Sequence, residues 1–317
     1  MSVRANERVA WFNGEFVPES EVRIPFRDSS WVYGDGCFDM TRTFGHRLFK
    51  VEEHVDRLYR SLKYLRIDPG IGPERMCRLT EEVFERNRHL LGARDDYWVG
   101  QRISRGVKEA PGDNVDYYGP NVVLECNPLP FQKRAKLFKE GIRVMVPSVR
   151  RTPPDSLTPR AKTHNYLNLI VADQEVQSID PEAWAILLDT NGNLCEGLGS
   201  NIFVVKDGQI LTPREKFVLP GVSRQTAFDL AAEIGMPVRE TDIDLYDAYN
   251  AEEAFITSTS LCICPVVKVN GMVIGDAETV WGRVTQKLAD AYRRLVDHDF
   301  IGQYLEHYVE GMEARAF

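Results

Sequence analysis

Nowhere in the 317 residues do 18 apolar residues follow one another, so no stretch qualifies as a membrane-spanning helix. The opening segment, MSVRANERVAWFNGEF, has no apolar core of the secretory kind, and a cytoplasmic location is expected. No two cysteines form a C-x-x-C pair, and Cys262 and Cys264 stand too close for the usual zinc knuckle. The six cysteines (Cys37, Cys77, Cys126, Cys195, Cys262, Cys264) are therefore expected as reduced thiols, most of them filling the core. The six histidines include no H-E-x-x-H pattern, so no metal site is expected. Repeats, low-complexity tracts and blocks of like charge are also missing. A net charge of −8 argues against nucleic acid or an anionic membrane as the main partner.

What is present is ordinary globular composition, 43% hydrophobic and 27% charged, at a length that favours two domains. Asn13-Gly14 in VAWFNGEFVP lies between short aromatic and β-branched runs, a strong hairpin signal. Further on, VEEHVDRLYRSLKYLRI carries Val51, Val55, Leu58, Leu62 and Leu65 at helical spacing. A second helix is expected from about Pro73 to His89, and strands at Tyr97–Arg105 and Asn121–Asn127. PLPFQKRAKLFKEG reads as a linker, giving domains 1–129 and 130–317. The second domain holds three more hairpin signals (ILLDTNGNLCEG, IFVVKDGQILTP, VVKVNGMVIG) interrupted by helices, the last from about Ala277 to Val309. Hairpins without regular β-α-β alternation point to an α+β fold rather than a doubly wound parallel sheet.

Four short segments could carry chemistry, and each has a plain reading beside the functional one. Lys162, in LTPRAKTHNYLNLIVADQE, is either a solvated cation or an amine at a pocket mouth, where burial makes it a nucleophile. Glu196 in LCEGLGSNIF is either a turn acid or a carboxylate that Gly197 and Gly199 open to a flat ligand. In LPGVSRQTAFDLAAEIG, Ser223 is either a helix N-cap or part of an anion site at the helix start, with Gly221 allowing close approach. The run Thr257-Ser258-Thr259-Ser260 in FITSTSLCICPV is either a self-satisfied polar turn or a set of phosphate donors.

In this order and spacing, Lys162, EGLGSN, LPGVSR and TSTS…PV resemble the fold-type IV pyridoxal-phosphate enzymes. This group includes the branched-chain, D-amino acid and (R)-amine aminotransferases and aminodeoxychorismate lyase. The resemblance runs from about Val9 to Gly275. It implies a small α/β sandwich domain, a larger pseudo-barrel domain carrying the Schiff-base lysine, and a homodimer. It also implies pyridoxal 5′-phosphate on Lys162, with Glu196 beside the pyridine nitrogen. Val222, Ser223, Thr259, Ser260 and Arg57 would hold the phosphate, and Leu219, Gly221, Ser200, Asn201 and Tyr166 would line the cofactor. The implied activity is ping-pong amino transfer between amino donors and 2-oxo acids; a lyase of the aminodeoxychorismate type is the alternative, and a non-catalytic cofactor-binding relative ranks last.

Substrate choice is less legible. No Arg-x-His element of the D-amino acid branch follows ISRG; the sequence continues VKEAPGDN. The branched-chain "YxR" strand motif is replaced by YWVGQR, and CFDMTR keeps Phe38 and Arg42 of "FEGxR" but has Met40 where glycine stands. Lys162-x-x-Asn165 is spaced as in the D-amino acid and lyase branches. Arg42 is the first candidate for the substrate carboxylate and Arg102 the second, with Phe38 beside them. Both arginines also read as ordinary ion-pair partners. Activity on amino acids together with some primary amines is the expectation.

Overall fold

Asn13 and Gly14 take the positive φ values, 48° and 112°, that a two-residue hairpin needs. Asp207-Gly208 and Asn270-Gly271 repeat the device, both residues of each pair at positive φ. The computed structural model describes residues 8–108 and 119–310. Residues 109–118, which hold most of VKEAPGDN, lie outside the described residues. The chain divides into two compact units, Met1–Leu129 with Ala161–Tyr166, and Pro130–Arg160 with Leu167–Phe317. The segment bearing Lys162 thus packs with the first unit, whereas the sequence reading grouped it with the second.

The first unit contains strands β1 (Val9–Phe12), β2 (Glu15–Pro18), β3 (Gly36–Phe44), β4 (Arg47–Leu48), β5 (Tyr97–Ser104) and β6 (Val122–Pro128). They form one antiparallel sheet in the order β2-β1-β6-β5-β3-β4. Helices α1 (Ser29–Tyr33), α2 (Val51–Leu65) and α3 (Pro73–Asn87) complete it. Val55, Leu58 and Leu62 of α2 and Met76, Leu79 and Val83 of α3 share one core with Val99, Ile103, Leu124 and Cys126. Because side chains alternate along a strand, the other face presents Phe38 and Met40 beside Arg102 and Gly100, then Val123 and Glu125. Apart from the buried Gly100, those residues are only half-buried. One face of the sheet makes the core, and the other is left for a site.

The second unit contains β7 (Ile142–Met145), β8 (Trp184–Leu188), β9 (Leu194–Gly197), β10 (Ser200–Lys206), β11 (Gln209–Pro213), β12 (Val238–Thr241), β13 (Glu253–Ser258), β14 (Cys262–Val269) and β15 (Met272–Val273). Six of them close on themselves, β10-β13-β14-β7-β8-β9 and back to β10, which makes the barrel that the resemblance implied. β11 and β12 extend the sheet from β10. The helices are α4 (Phe131–Glu140), α5 (Leu167–Gln177), α6 (Val222–Glu233), α7 (Leu245–Tyr249), α8 (Arg283–Val296) and α9 (Phe300–Glu306). Two sequence expectations change. The presumed linker is helix α4, because Phe131, Ala135, Leu137 and Phe138 fall on a side that is buried. The C-terminal helical stretch is two helices, broken where Asp297 enters the left-handed region at φ 47° and Asp299 caps the second.

Candidate active site

In the first unit, residues 161–166 lie along the start of β3 as a short edge strand. Cys37 bridges Thr163, the Phe38 amide donates to the Lys162 carbonyl at 3.0 Å, and the His164 amide donates to the Gly36 carbonyl at 2.8 Å. A side chain at Gly36 would meet the His164 ring and the Ile103 carbonyl at 2.6 Å, so only glycine fits there. The Lys162 amide donates to Ser61 Oγ of α2 at 3.0 Å, which fixes the backbone from a second side. The side chain is held more lightly. Lys162 Nζ donates to Tyr166 Oη at 2.9 Å and lies 4.4 Å from the centroid of the Phe38 ring.

Phe38 is the hub of this surface. Tyr166 and His164 lie 5.3 and 5.8 Å from it, centroid to centroid, and the Arg102 guanidinium lies 5.3 Å from its centroid. Arg102 Nε donates to Glu125 Oε1 at 2.6 Å, and the arginine side chain is 41% exposed. Its two terminal amino groups have no hydrogen-bond partner among the described residues. Burial, with the nearby Arg102 charge, pushes His164 down to about 4, so its imidazole is neutral at neutral pH. Its Nδ1 meets Ser30 Oγ at 2.7 Å.

Arg42, the first candidate for the carboxylate, is not available to a substrate. It is 1% exposed, its Nε donates to the Thr43 carbonyl at 2.9 Å, its Nη2 lies 3.8 Å from Asp96, and its guanidinium covers Phe44 at 4.0 Å. The neighbouring aromatic ring and carboxylate have captured it. Arg57 is buried on α2, where Nε and Nη2 grip Asp39 at 2.8 and 2.7 Å; His54 Nδ1 meets the same carboxylate at 2.7 Å. Burial would raise Asp39, but Arg57 and His54 outweigh it and hold the carboxyl well below the usual range.

In the second unit, Glu196 is 4% exposed and held at both oxygens. Arg151 Nε donates to Oε1 at 2.9 Å and the Leu219 amide donates to Oε2 at 2.8 Å. Arg151, in SVRRTPPDSLTPR, is not among the residues that the sequence motifs single out. Its Nη1 is steadied by Asn168 Oδ1 at 3.2 Å. Gly197 has no room for a side chain, which would press on the Ala185 carbonyl at 2.5 Å and Ser200 Oγ at 2.9 Å. Asn201 Nδ2 donates to the Leu219 carbonyl at 3.0 Å, tying β10 to the loop before α6.

The start of α6 resolves one open alternative. Gly221 is the N-cap and no side chain caps the helix; Val222 and Ser223 are its first two residues. Ser223 is therefore not the cap, and the first-turn amides are left to an outside acceptor. Two buried hydroxyls, Ser200 Oγ and Thr257 Oγ1, have no hydrogen-bond partner among the described residues. Thr259 is half-buried, whereas Ser260 accepts a hydrogen bond at Oγ from Arg134 and is drawn away from the ligand role expected of it. Orphaned hydroxyls, an uncapped helix start and a fixed carboxylate suit a phosphorylated, nitrogen-bearing aromatic group.

The first unit supplies an amine on a lightly held lysine, and the second a carboxylate-and-anion set; both are groups that pyridoxal-phosphate enzymes use. The chain belongs to the class IV aminotransferases: the family model described as "Amino-transferase class IV" matches residues 36–269. It is 35% identical over 286 residues to a putative branched-chain-amino-acid aminotransferase of Methanocaldococcus jannaschii, covering 90% of this chain and 95% of that one. The branched-chain-amino-acid aminotransferase of Escherichia coli K12 is 30% identical over 290 residues, covering 89% and 91%. Among solved structures, the branched-chain aminotransferase of Thermoproteus uzoniensis with norvaline superposes with a TM-score of 0.81 at 28% identity, covering 95% of this chain and 97% of that one. The protein is a pyridoxal-phosphate-dependent aminotransferase of the fold-type IV group.

Proposed function

We propose that Lys162 carries the cofactor and that the enzyme transfers amino groups between α-amino acids with apolar side chains and 2-oxo acids. The observation that supports this most is the Phe38 surface, which sets the Lys162 amine and the Arg102 guanidinium on one aromatic ring. The two unengaged amino groups of Arg102 suit a carboxylate fork to fork, and Phe38 and Met40 suit an apolar side chain. Arg102 thus takes the role first expected of Arg42. The named activities of the relatives lean the same way, towards branched-chain substrates.

When bound, pyridoxal phosphate supplies an aldehyde for the amino group and a conjugated ring that takes up the electron pair of the substrate Cα–H bond. Lys162 Nζ would carry a proton between the substrate α-carbon and the carbon of the cofactor's aldehyde group, so that the amino group changes partners. Tyr166 Oη keeps that amine in place through its hydrogen bond. Glu196, immobile between Arg151 and the Leu219 amide, would accept from the ring nitrogen when that nitrogen carries a proton. The amides of Val222 and Ser223 and the Thr259 hydroxyl would hold the phosphate, the role that the resemblance also gives Arg57. Leu219, Gly221, Ser200 and Asn201 shape the floor.

We place the protein in the cytoplasm as a homodimer. Among the described residues no helix is long and apolar enough to cross a membrane. Phe26, Trp31 and Tyr33 in the first unit, and Leu167, Ile170 and Val171 on α5, are exposed apolar side chains of the kind subunit interfaces cover. Borohydride reduction of the cofactor-loaded protein, followed by peptide mass mapping, should place the cofactor on Lys162. A label on any other lysine would overturn the assignment. Spectra recorded with D- and L-amino acids and both 1-phenylethylamine enantiomers then identify the donor.

A further inference from the structure

The four hydroxyls of TSTS do not act as one group. Ser258 and Ser260 turn back into the second unit: their oxygens lie 3.3 Å apart, Arg134 Nη1 donates to Ser260 Oγ, and the Leu261 amide donates to Ser258 Oγ at 3.0 Å. Tyr304 Oη of α9 donates to the Ser260 carbonyl at 3.0 Å. Arg134 itself is 4% exposed on α4, with its guanidinium 5.8 Å from the centre of the Trp184 ring. Behind the turn, then, two helices grip Ser260, and Ser258 is tied to it.

Thr257 stands on the other side. On β13 it faces Asn201 of β10 directly, and cross-strand partners share a sheet face. Asn201 reaches the Leu219 carbonyl, and its Oδ1 would collide with a side chain at Gly221, the cap of the twelve-residue helix α6. The Thr257 hydroxyl therefore shares the face that looks onto the uncapped helix start. It is 1% exposed and has no hydrogen-bond partner among the described residues. A hydroxyl buried beside free helix amides needs an acceptor to be stable there.

We propose that Thr257 is a further donor to the cofactor phosphate, and that Arg134 is a positioning residue that turns Ser258 and Ser260 inward so that Thr257 and Thr259 face the anion. This rests on the cofactor reading above and adds two residues to it. The ligand class is a phosphate monoester or free inorganic phosphate, and the test separates the two.

The holoenzyme is stripped of cofactor, and dissociation constants for pyridoxal phosphate, pyridoxal and inorganic phosphate are measured for the wild type, Thr257→Val and Arg134→Lys. The 31P resonance of the bound phosphate is followed with pH. Thr257→Val should weaken pyridoxal phosphate about ten- to a hundredfold and leave pyridoxal unchanged, since a hydrogen bond to a charged group is lost. Arg134→Lys, which keeps the charge but loses the planar fork, should cause a smaller loss of the same phosphate-specific kind and shift the 31P titration. Parallel losses for pyridoxal phosphate and pyridoxal, or no loss for either, overturn the proposal. Were the wild type to bind inorganic phosphate in a Thr257-dependent way but neither pyridoxal form, the anion site would stand and the cofactor reading would fall.

Discussion

Lys162 and Glu196 are the two groups on which the proposed chemistry turns, and the protein treats them oppositely. The lysine backbone is pinned by β3 and Ser61, but its amine has one hydrogen bond, to Tyr166, and rests on an aromatic face. The glutamate has a charged or amide donor on each oxygen and almost no contact with solvent. A group that must detach, carry a proton and return has to be cheap to move. A group that only sets the charge state of a ring has to stay where it is, and a cation plus a backbone amide fix its position.

That contrast can be broken from either end. Lys162→Ala should lower transamination by at least about a thousandfold while the circular dichroism spectrum stays unchanged, because no other amine sits on the Phe38 surface. Glu196→Gln should cost about a hundredfold in kcat and shift the cofactor absorption band. Arg151→Gln should show a weaker version of both, since the carboxylate keeps its Leu219 partner. Equal losses for Glu196→Gln and Arg151→Gln would mean that position, not charge, is what Glu196 supplies.

The two arginines of the β3–β5 face sharpen the comparison further. Arg102→Leu should raise KM for amino-acid donors about tenfold or more and leave the melting temperature nearly unchanged, as expected for an exposed ligand. Arg42→Leu should do the reverse, costing about 1–3 kcal/mol of stability while KM holds, since buried Asp96 loses its cation but keeps the Thr43, Gly45 and His46 donors. The smallest effect concerns His164, whose pKa falls from 6.5 unfolded to about 4 folded. Between those values the unfolded chain binds more protons, so stability present above pH 6.5 is lost as the pH falls towards 4. The slope is at most about 1.4 kcal/mol per pH unit. Urea titrations across that range should show it, and His164→Gln should flatten it.

Much of this was legible in the chain. Residue pairs such as Asn13-Gly14 and Asp207-Gly208 dictate their own turns, so the hairpins could be read directly. Lys162 and Glu196 were singled out because four short motifs, in their order and spacing, resemble one family. The failures share a cause, which is that a side chain's partner is set by tertiary contacts. Nothing near Arg42 in sequence announces Asp96, and nothing in SVRRTPP announces Glu196. The α4 helix was mistaken for a linker because five charged residues hide its apolar stripe. Whether Ser223 capped its helix depended on a start two residues earlier or later, which only the backbone shows.

The excursion of residues 161–166 has a consequence for taking the protein apart. The chain leaves the first unit at Leu129, returns for six residues that lie along β3, and leaves again. A gene fragment ending at 129 would encode a sheet with a bare edge and no reactive amine; one starting at 130 would carry that amine on a strand without its neighbour. Recombination with a relative at this natural-looking joint would therefore exchange Phe38 and Arg102 without the lysine they serve. Chimaeras meant to swap substrate preference need a second crossover pair, around 161 and 166, to keep the amine with its own surface.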